Sequence, residues 1–343
     1  MKTRFALLLL TLLASAPHVS AIAADSLTLA GRTELPGYTG DFDHFGYDAN
    51  SNRLWLAAED HRTLDVFDLR TLKLLKSLDG VVDTPHAVHY AAAGNRLVVT
   101  DSGGEPAVTK LIDPKTYKVA GTLKLAAPGA DEMGYDKSTN RLYIVNGGRD
   151  AKMKETYLSA IDPVTLKHYG DLKFDTDKIE AMVIEQNGDK LYLNVTGKNY
   201  IAVVDKREMK VLETFPIKDA EQNAPMAFDE STRRLFVITR KPSKLLVIDA
   251  SNGATVASFV MPARVNQVIW DAVTKRVFVL AGEGFIGIVQ QKGADQYEEL
   301  PRVATTIGAK TGILVPELRR IYVAVSPGEA KTGAAILRYD IGQ

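Results

Sequence analysis

A five-residue pattern recurs seven times along this chain and limits its fold more than any other feature. NRLWL (52–56), NRLVV (95–99), NRLYI (140–144), DKLYL (189–193), RRLFV (233–237), KRVFV (275–279) and RRIYV (319–323) each place a basic residue ahead of aliphatic and usually aromatic positions. The basic residues Arg53, Arg96, Arg141, Lys190, Arg234, Arg276 and Arg320 are 43, 45, 49, 44, 42 and 44 positions apart. A period in the forties is what a propeller blade of four short strands requires. Each unit predicts a first strand, the anchor strand, a third strand ending in Asp, and a fourth strand after a turn. The third-strand ends are Asp68, Asp113, Asp162, Asp205, Asp249 and Asp340, and Gln290 breaks the series. In DLRT, DPKT and DPVT these Asp residues read as turn formers that bind nearby backbone N–H groups, not as catalytic acids. The anchor aromatics Trp55, Tyr143, Tyr192, Phe236, Phe278 and Tyr322, with Val98 as the exception, read as packing between blades.

The seventh unit stops at AILRYDIGQ, directly after its third strand. SLTLAGRTELPG (26–37) is similar to the fourth strands of other units, such as TYKVAGTLKLA and NGATVASFVMP, and is expected to complete blade seven. The expected fold is therefore an all-β, seven-bladed β-propeller closed by pairing of the N-terminal strand with the last blade, one domain over 24–343. Closure removes two sheet edges that would otherwise invite aggregation. Such a ring needs no partner, so a monomer suffices. Ahead of it, residues 1–23 read as a secretory signal peptide, with Lys2 and Arg4, an apolar run from Phe5 to Ala14, and small residues at Ala21 and Ala23. The run is too short to span a bilayer, and the expected location after cleavage is periplasmic or secreted. Loss of Lys2 and Arg4 leaves 40 basic against 42 acidic residues, a net charge of about −2 that argues against a dedicated duplex DNA binder. With no cysteine in the chain, neither disulfides nor thiolates serve folding or catalysis.

The stretches KLYLNVTGKNYIAVVDKREMKVLETFPI and RRLFVITRKPSKLLVIDASNGATVASF resemble the YVTN-type repeats of YncE-like seven-bladed β-propellers exported by bacteria. The resemblance covers nearly the whole mature chain and implies the fold. It implies function only broadly, because propellers of this kind include binding proteins, some of them nucleic-acid-binding, as well as lyases and lactonases. No family catalytic motif matches residues of this chain.

Two histidines three apart in TPHAVHY (84–90) invite a metal reading, but i and i+3 side chains chelate together on a helix, whereas this is a first strand. His89 is expected to pack between blades and His86 to face the channel. Aligned on the anchors, His86 corresponds to Asp43, Asp131, Glu180, Ala224, Asn266 and Lys310, one residue per blade at one mouth. Asp43, His86, Asp131, Glu180, Asn266 and Lys310 are the candidate ligand-binding residues, and Asp43, His86, Asp131 and Glu180 form a carboxylate-rich arc that suits a divalent metal ion. Repulsion among its carboxylates is expected to raise their pKa values unless a cation compensates. By strand alternation the following residues, His44 and Glu132 among them, are expected to point elsewhere, though a twisted strand end could bring His44 to the rim.

Loops between second and third strands should open on the same mouth, as binding loops on a rigid scaffold do. They carry His61, Arg149, Lys198, Arg240 and Lys241, a rim with Tyr200 nearby that could take single-stranded nucleic acid. Most such charges are solvated surface. With no G-x-S-x-G elbow and no H-E-x-x-H helix, the reading ranked first is an exported, non-catalytic propeller that binds a small ligand or a macromolecular partner at the channel mouth. A metal-assisted lyase or lactonase using the channel carboxylates and His86, and single-stranded nucleic acid binding, are the alternatives.

Overall fold

A computed structural model describes residues 26–327 and 333–342. The expected signal peptide, residues 1–23, lies outside the described residues. Seven four-stranded antiparallel sheets follow one another along the chain. Blade one comprises Phe45–Asp48, Arg53–Ala58, Thr63–Asp68 and Leu74–Asp79, in that order from first to fourth strand. Blades two to six repeat the scheme over 85–123, 133–174, 182–216, 221–260 and 265–304. Blade seven takes Ala309–Val315, Arg320–Val325 and Ala335–Ile341 from the end of the chain and Leu27–Glu34 from its beginning. That last pairing runs antiparallel from Leu27 opposite Ile341 to Glu34 opposite Ala335. Among the described residues no helix is long and apolar enough to cross a membrane.

Every second strand begins at its anchor residue, from Arg53 to Arg320. In six blades the residue just before the anchor has a positive φ, between 43° and 57°: Asn52, Asn95, Asn140, Arg233, Lys275 and Arg319. Asn is among the few non-glycine residues that tolerate this left-handed region, which explains the N of the NRL segments. The third-strand Asp residues do what the turn reading requires. Asp68 Oδ1 accepts from the N–H groups of Arg70 and Thr71 at 3.1 and 2.8 Å, and Asp113 and Asp162 repeat the arrangement two and three residues on.

Packing divides into seven apolar clusters, one for each interface between neighbouring blades, and each is seeded by an anchor residue. Trp55 packs with Leu97 and Ile112 of blade two, Val98 with Ile144 of blade three, and Tyr143 with Leu191 and Val204 of blade four. Tyr192, Phe236 and Phe278 continue round the ring, and Tyr322 closes it against Phe67 and Leu69 of blade one. The choice of tyrosine at three anchors has a polar reason. The hydroxyls of Tyr143, Tyr192 and Tyr322 donate to the backbone carbonyls of Lys206, Ala250 and Leu69, each at the turn after the third strand of the next blade. A buried phenol that found no acceptor would be costly.

Ion pairs add to these interfaces away from the channel mouth. Arg319 grips Asp271 with one nitrogen 2.9 and 3.0 Å from the two carboxylate oxygens, joining blade seven to blade six. Between blades three and four, Lys206 Nζ lies 3.0 Å from Asp136 Oδ2 and donates to the Glu185 carbonyl at 2.6 Å, with both charged side chains fully buried. Removing one partner of such a pair strands the other charge. Lys206→Met is therefore expected to lower the unfolding free energy by about 3–5 kcal/mol in urea titration. A change below about 1 kcal/mol would show that the pair contributes nothing net.

Candidate functional site

The first strands bring one short segment of each blade to the same end of the ring. There, Asp43, His86, Asp131, Glu180, Asn266 and Lys310 line a single cavity of about 650 Å³. The seventh aligned residue, Ala224, is fully buried, and its neighbour Pro225 lines the cavity instead. Backbone irregularity explains how so many side chains reach one hole. Asp43, Asp131 and Glu180 precede the regular strands Phe45–Asp48, Met133–Asp136 and Met182–Ile184. His86, Asn266 and Lys310 sit at register shifts, between Pro85 and Val88, Val265 and Gln267, and Ala309 and Thr311. Bulges of this kind re-aim side chains. Alternation does not govern residues outside the regular ladder: Glu132 lines the cavity beside Asp131 against expectation, and His44 reaches it beside Asp43 as an irregular strand end allows.

The acidic side, built by blades one to three, is organised around two histidines. His86 Nδ1 lies 2.8 Å from Asp43 Oδ2 and 3.8 Å from Asp131 Oδ1, and its Nε2 lies 2.8 Å from Ser102 Oγ. His44 Nε2 lies 2.9 Å from Glu132 Oε2 and 3.3 Å from Asp43 Oδ1. Burial disfavours the charged form of His86, but the Asp43 hydrogen bond and the charges of Asp131 and Asp43 outweigh it and raise its pKa to about 9. Burial opposes the charge of His44 too, yet Glu132 and Asp43 hold its pKa well above the ordinary range. Reciprocally, Asp43 is held below the usual carboxylate value despite its burial, through His44 and His86.

On the far side the carboxylates meet fixed cations. Lys178 Nζ lies 3.4 Å from Asp131 Oδ2 and 3.7 Å from Glu180 Oε1. Arg240 Nη1 lies 3.1 Å from Glu180 Oε1, and Lys310 Nζ lies 2.7 Å from Asp41 Oδ2. Asn266 donates to Thr311 Oγ1 at 3.0 Å. Glu59 differs from these groups: it lines the same cavity with no partner for its carboxylate among the described residues, and burial followed by the Asp43 charge raises its pKa to about 7. Sequence reasoning passed over Glu59 and Lys178. Lys178 lies two residues before Glu180, a spacing that puts both on one side of an extended segment, and Glu59 sits in a loop already assigned to this mouth.

These contacts bear on the metal reading. Asp131 and Glu180, proposed as ligands with Asp43 and His86, are both engaged by Lys178. The metal-capable group the structure assembles is Asp43, Glu59 and His86, with one donor atom from each lying within 4.8 Å of the others. The same histidine also resembles the centre of a Ser–His–Asp triad, with Ser102 on Nε2 and Asp43 on Nδ1. An imidazole whose pKa is raised to about 9 is already protonated near neutrality and takes no proton from Ser102.

The rim is less concentrated than the loops suggest. Arg149 and Arg240 line the cavity; Lys198 and Lys241 are exposed and lie outside it. His61 stacks on Tyr38 at 3.9 Å between ring centroids, also outside the cavity. Tyr200 packs half-buried against the cluster between blades three and four and lies outside the cavity.

His89 packs against Tyr135 of blade three, with ring centroids 4.5 Å apart. Burial alone pushes its pKa down to about 4. A histidine whose folded pKa lies below its unfolded value of about 6.5 supports stability above that pH and loses the contribution as pH falls toward 4. His89→Leu is expected to remove up to about 3 kcal/mol of the acid destabilisation between pH 6.5 and 4, measured as the difference between wild-type and variant urea midpoints. Parallel losses in both proteins would show that His89 carries no such linkage.

No family model matches the chain. It is 24% identical to the uncharacterized protein YncE of Salmonella typhi over 261 residues, 71% of each chain. To YncE of Escherichia coli K12 it is 25% identical over 238 residues, 63% of this chain and 64% of that one. Among solved structures, a chain of the mitotic checkpoint complex superposes with a TM-score of 0.73 at 14% identity, covering all of both chains. Kuenenia stuttgartiensis hydrazine synthase gives 0.71 at 14% identity, covering 88% of this chain and 98% of that one. At such identities these structures speak to fold alone. Repeats, blade count and ring closure together make the chain a seven-bladed β-propeller, and its sequence is similar to that of YncE.

Proposed function

We propose that this protein is an exported, non-catalytic binding protein that takes a compact polar ligand, or a polar segment of a larger partner, at the channel mouth. One observation carries the reading: charged or amide side chains from all seven blades converge on a single cavity of about 650 Å³. That volume suits a small molecule, but ligand pockets are mostly apolar, and this one is lined by seven carboxylates and four Lys and Arg side chains. A ligand that repays their desolvation must itself be highly polar or charged. The reading of the site as non-catalytic rests on proton bookkeeping. The two histidines best placed to act as bases are held in their charged forms by adjacent carboxylates.

Export rests on the amino-terminal residues alone. The nucleic-acid alternative finds less support, because Lys198 and Lys241 stand apart from the cavity and Tyr200 is packed between blades. The lyase or lactonase alternative needs a base or metal that the proton-bearing histidines do not supply by themselves.

Thermal-shift screening with small organic anions, cations and zwitterions tests the binding reading. A true ligand at one hundred times its Kd adds about 2.7 kcal/mol to unfolding free energy. Glu180→Gln is expected to weaken its binding about tenfold or more, and Lys241→Ala to leave it unchanged. Turnover of any such compound by the pure protein, abolished in His86→Gln, would replace binding by catalysis.

A further inference from the structure

We propose that Asp43, Glu59 and His86 hold one divalent transition-metal ion on the blade-one side of the channel mouth. The inference rests on the reading of that mouth as a ligand site and names an occupant for part of it. Three separate chain segments supply the donors: the irregular stretch before Phe45–Asp48, the turn after Arg53–Ala58, and the bulge in Pro85–Ala91. One donor atom from each already lies within 4.8 Å of the others.

The supporting contacts are those that fix metal ligands. Protein metal sites commonly orient each histidine by a hydrogen bond from its second ring nitrogen. Here Nε2 is 2.8 Å from Ser102 Oγ, which leaves Nδ1 facing Asp43 Oδ2 at 2.8 Å and Asp131 Oδ1 at 3.8 Å. The other oxygen of Asp43 is steadied by His44 Nε2 at 3.3 Å. An ion bound at about 2.0–2.2 Å to nitrogen and oxygen would draw the donors to within about 3.5 Å of one another. The ion would take the place of the proton between His86 Nδ1 and Asp43 Oδ2, parting those atoms from 2.8 Å, while Glu59, whose carboxylate lines the cavity with no hydrogen-bond or ion-pair partner among the described residues, would close in from within 4.8 Å.

One imidazole and two carboxylates, with no sulfur, suit Zn²⁺ or Mn²⁺; Mg²⁺ prefers an all-oxygen, heavily hydrated shell. Positions not filled by protein would face the cavity, where an anionic group of a ligand could complete the shell. A metal so placed would join the binding reading to the charge imbalance of the mouth.

Protein dialysed free of metal and then equilibrated separately with Zn²⁺ and Mn²⁺ is the test, with bound metal read by elemental analysis and fold by circular dichroism. One equivalent of Zn²⁺ or Mn²⁺ per chain is expected. Glu59→Gln and Asp43→Asn should each weaken binding at least tenfold, Ser102→Ala about 10–100-fold through the freed imidazole, and the exposed Glu298→Gln not at all. Failure of the wild-type protein to take up either ion overturns the proposal, as does undiminished binding by a folded Glu59→Gln protein. If metal uptake fails while an organic ligand still binds in a Glu180-dependent manner, only the metal falls; if neither binds, the binding reading falls with it.

Discussion

A four-stranded blade has two faces and too little interior to bury either by itself, so each sheet is stable only between two neighbours. The seven apolar clusters are the physical form of that dependence, and none of them lies within a single blade. Tyr322, from the last blade, packs in the same cluster as Phe67 from the first, so the circle has no terminal interface to shield. Everything at the channel mouth inherits its rigidity from this arrangement. Residues far apart in sequence can share a cavity because packing fixes the tilt of each blade against the next.

Much of the fold was legible because its determinants repeat. A basic residue, a left-handed residue before it in six blades (Asn in three of them), an aromatic two places on and a turn-forming Asp each serve a local role that recurs every forty-odd residues. The ring of channel residues was legible on the same grounds, since alignment on the anchors aligned the mouth as well. What alignment could not reach was geometry outside the ladders. His44 and Glu132 enter the cavity because their segments are irregular, and Glu59 arrives from a loop whose length and path differ between units. Lys178 was hidden in another way: its importance comes from where Asp131 of the preceding blade lies, a relation between units that no single repeat displays.

The charges at the mouth form one coupled system. His86 faces Asp43 and Asp131, Asp131 faces Lys178, Lys178 faces Glu180, and Glu180 faces Arg240. Repulsion among carboxylates, expected to raise their pKa values all round the ring, is instead relieved at Asp43 by two imidazolium neighbours and left unrelieved at Glu59. Substitution of one member therefore alters the protonation of the next, and the site is better regarded as a network with one open valence than as a set of independent groups.

The pairing of Leu27–Glu34 with Ala335–Ile341 carries a consequence for biogenesis. The ribosome makes the closing strand first and its mate about 300 residues later, so the most distant contact in sequence is also the last that synthesis permits. Until that partner emerges, the early strand must stay unpaired or borrow a temporary neighbour. A nascent chain that cannot finish its own circle stays open until its final strand emerges, so the ring closes as one late event rather than blade by blade.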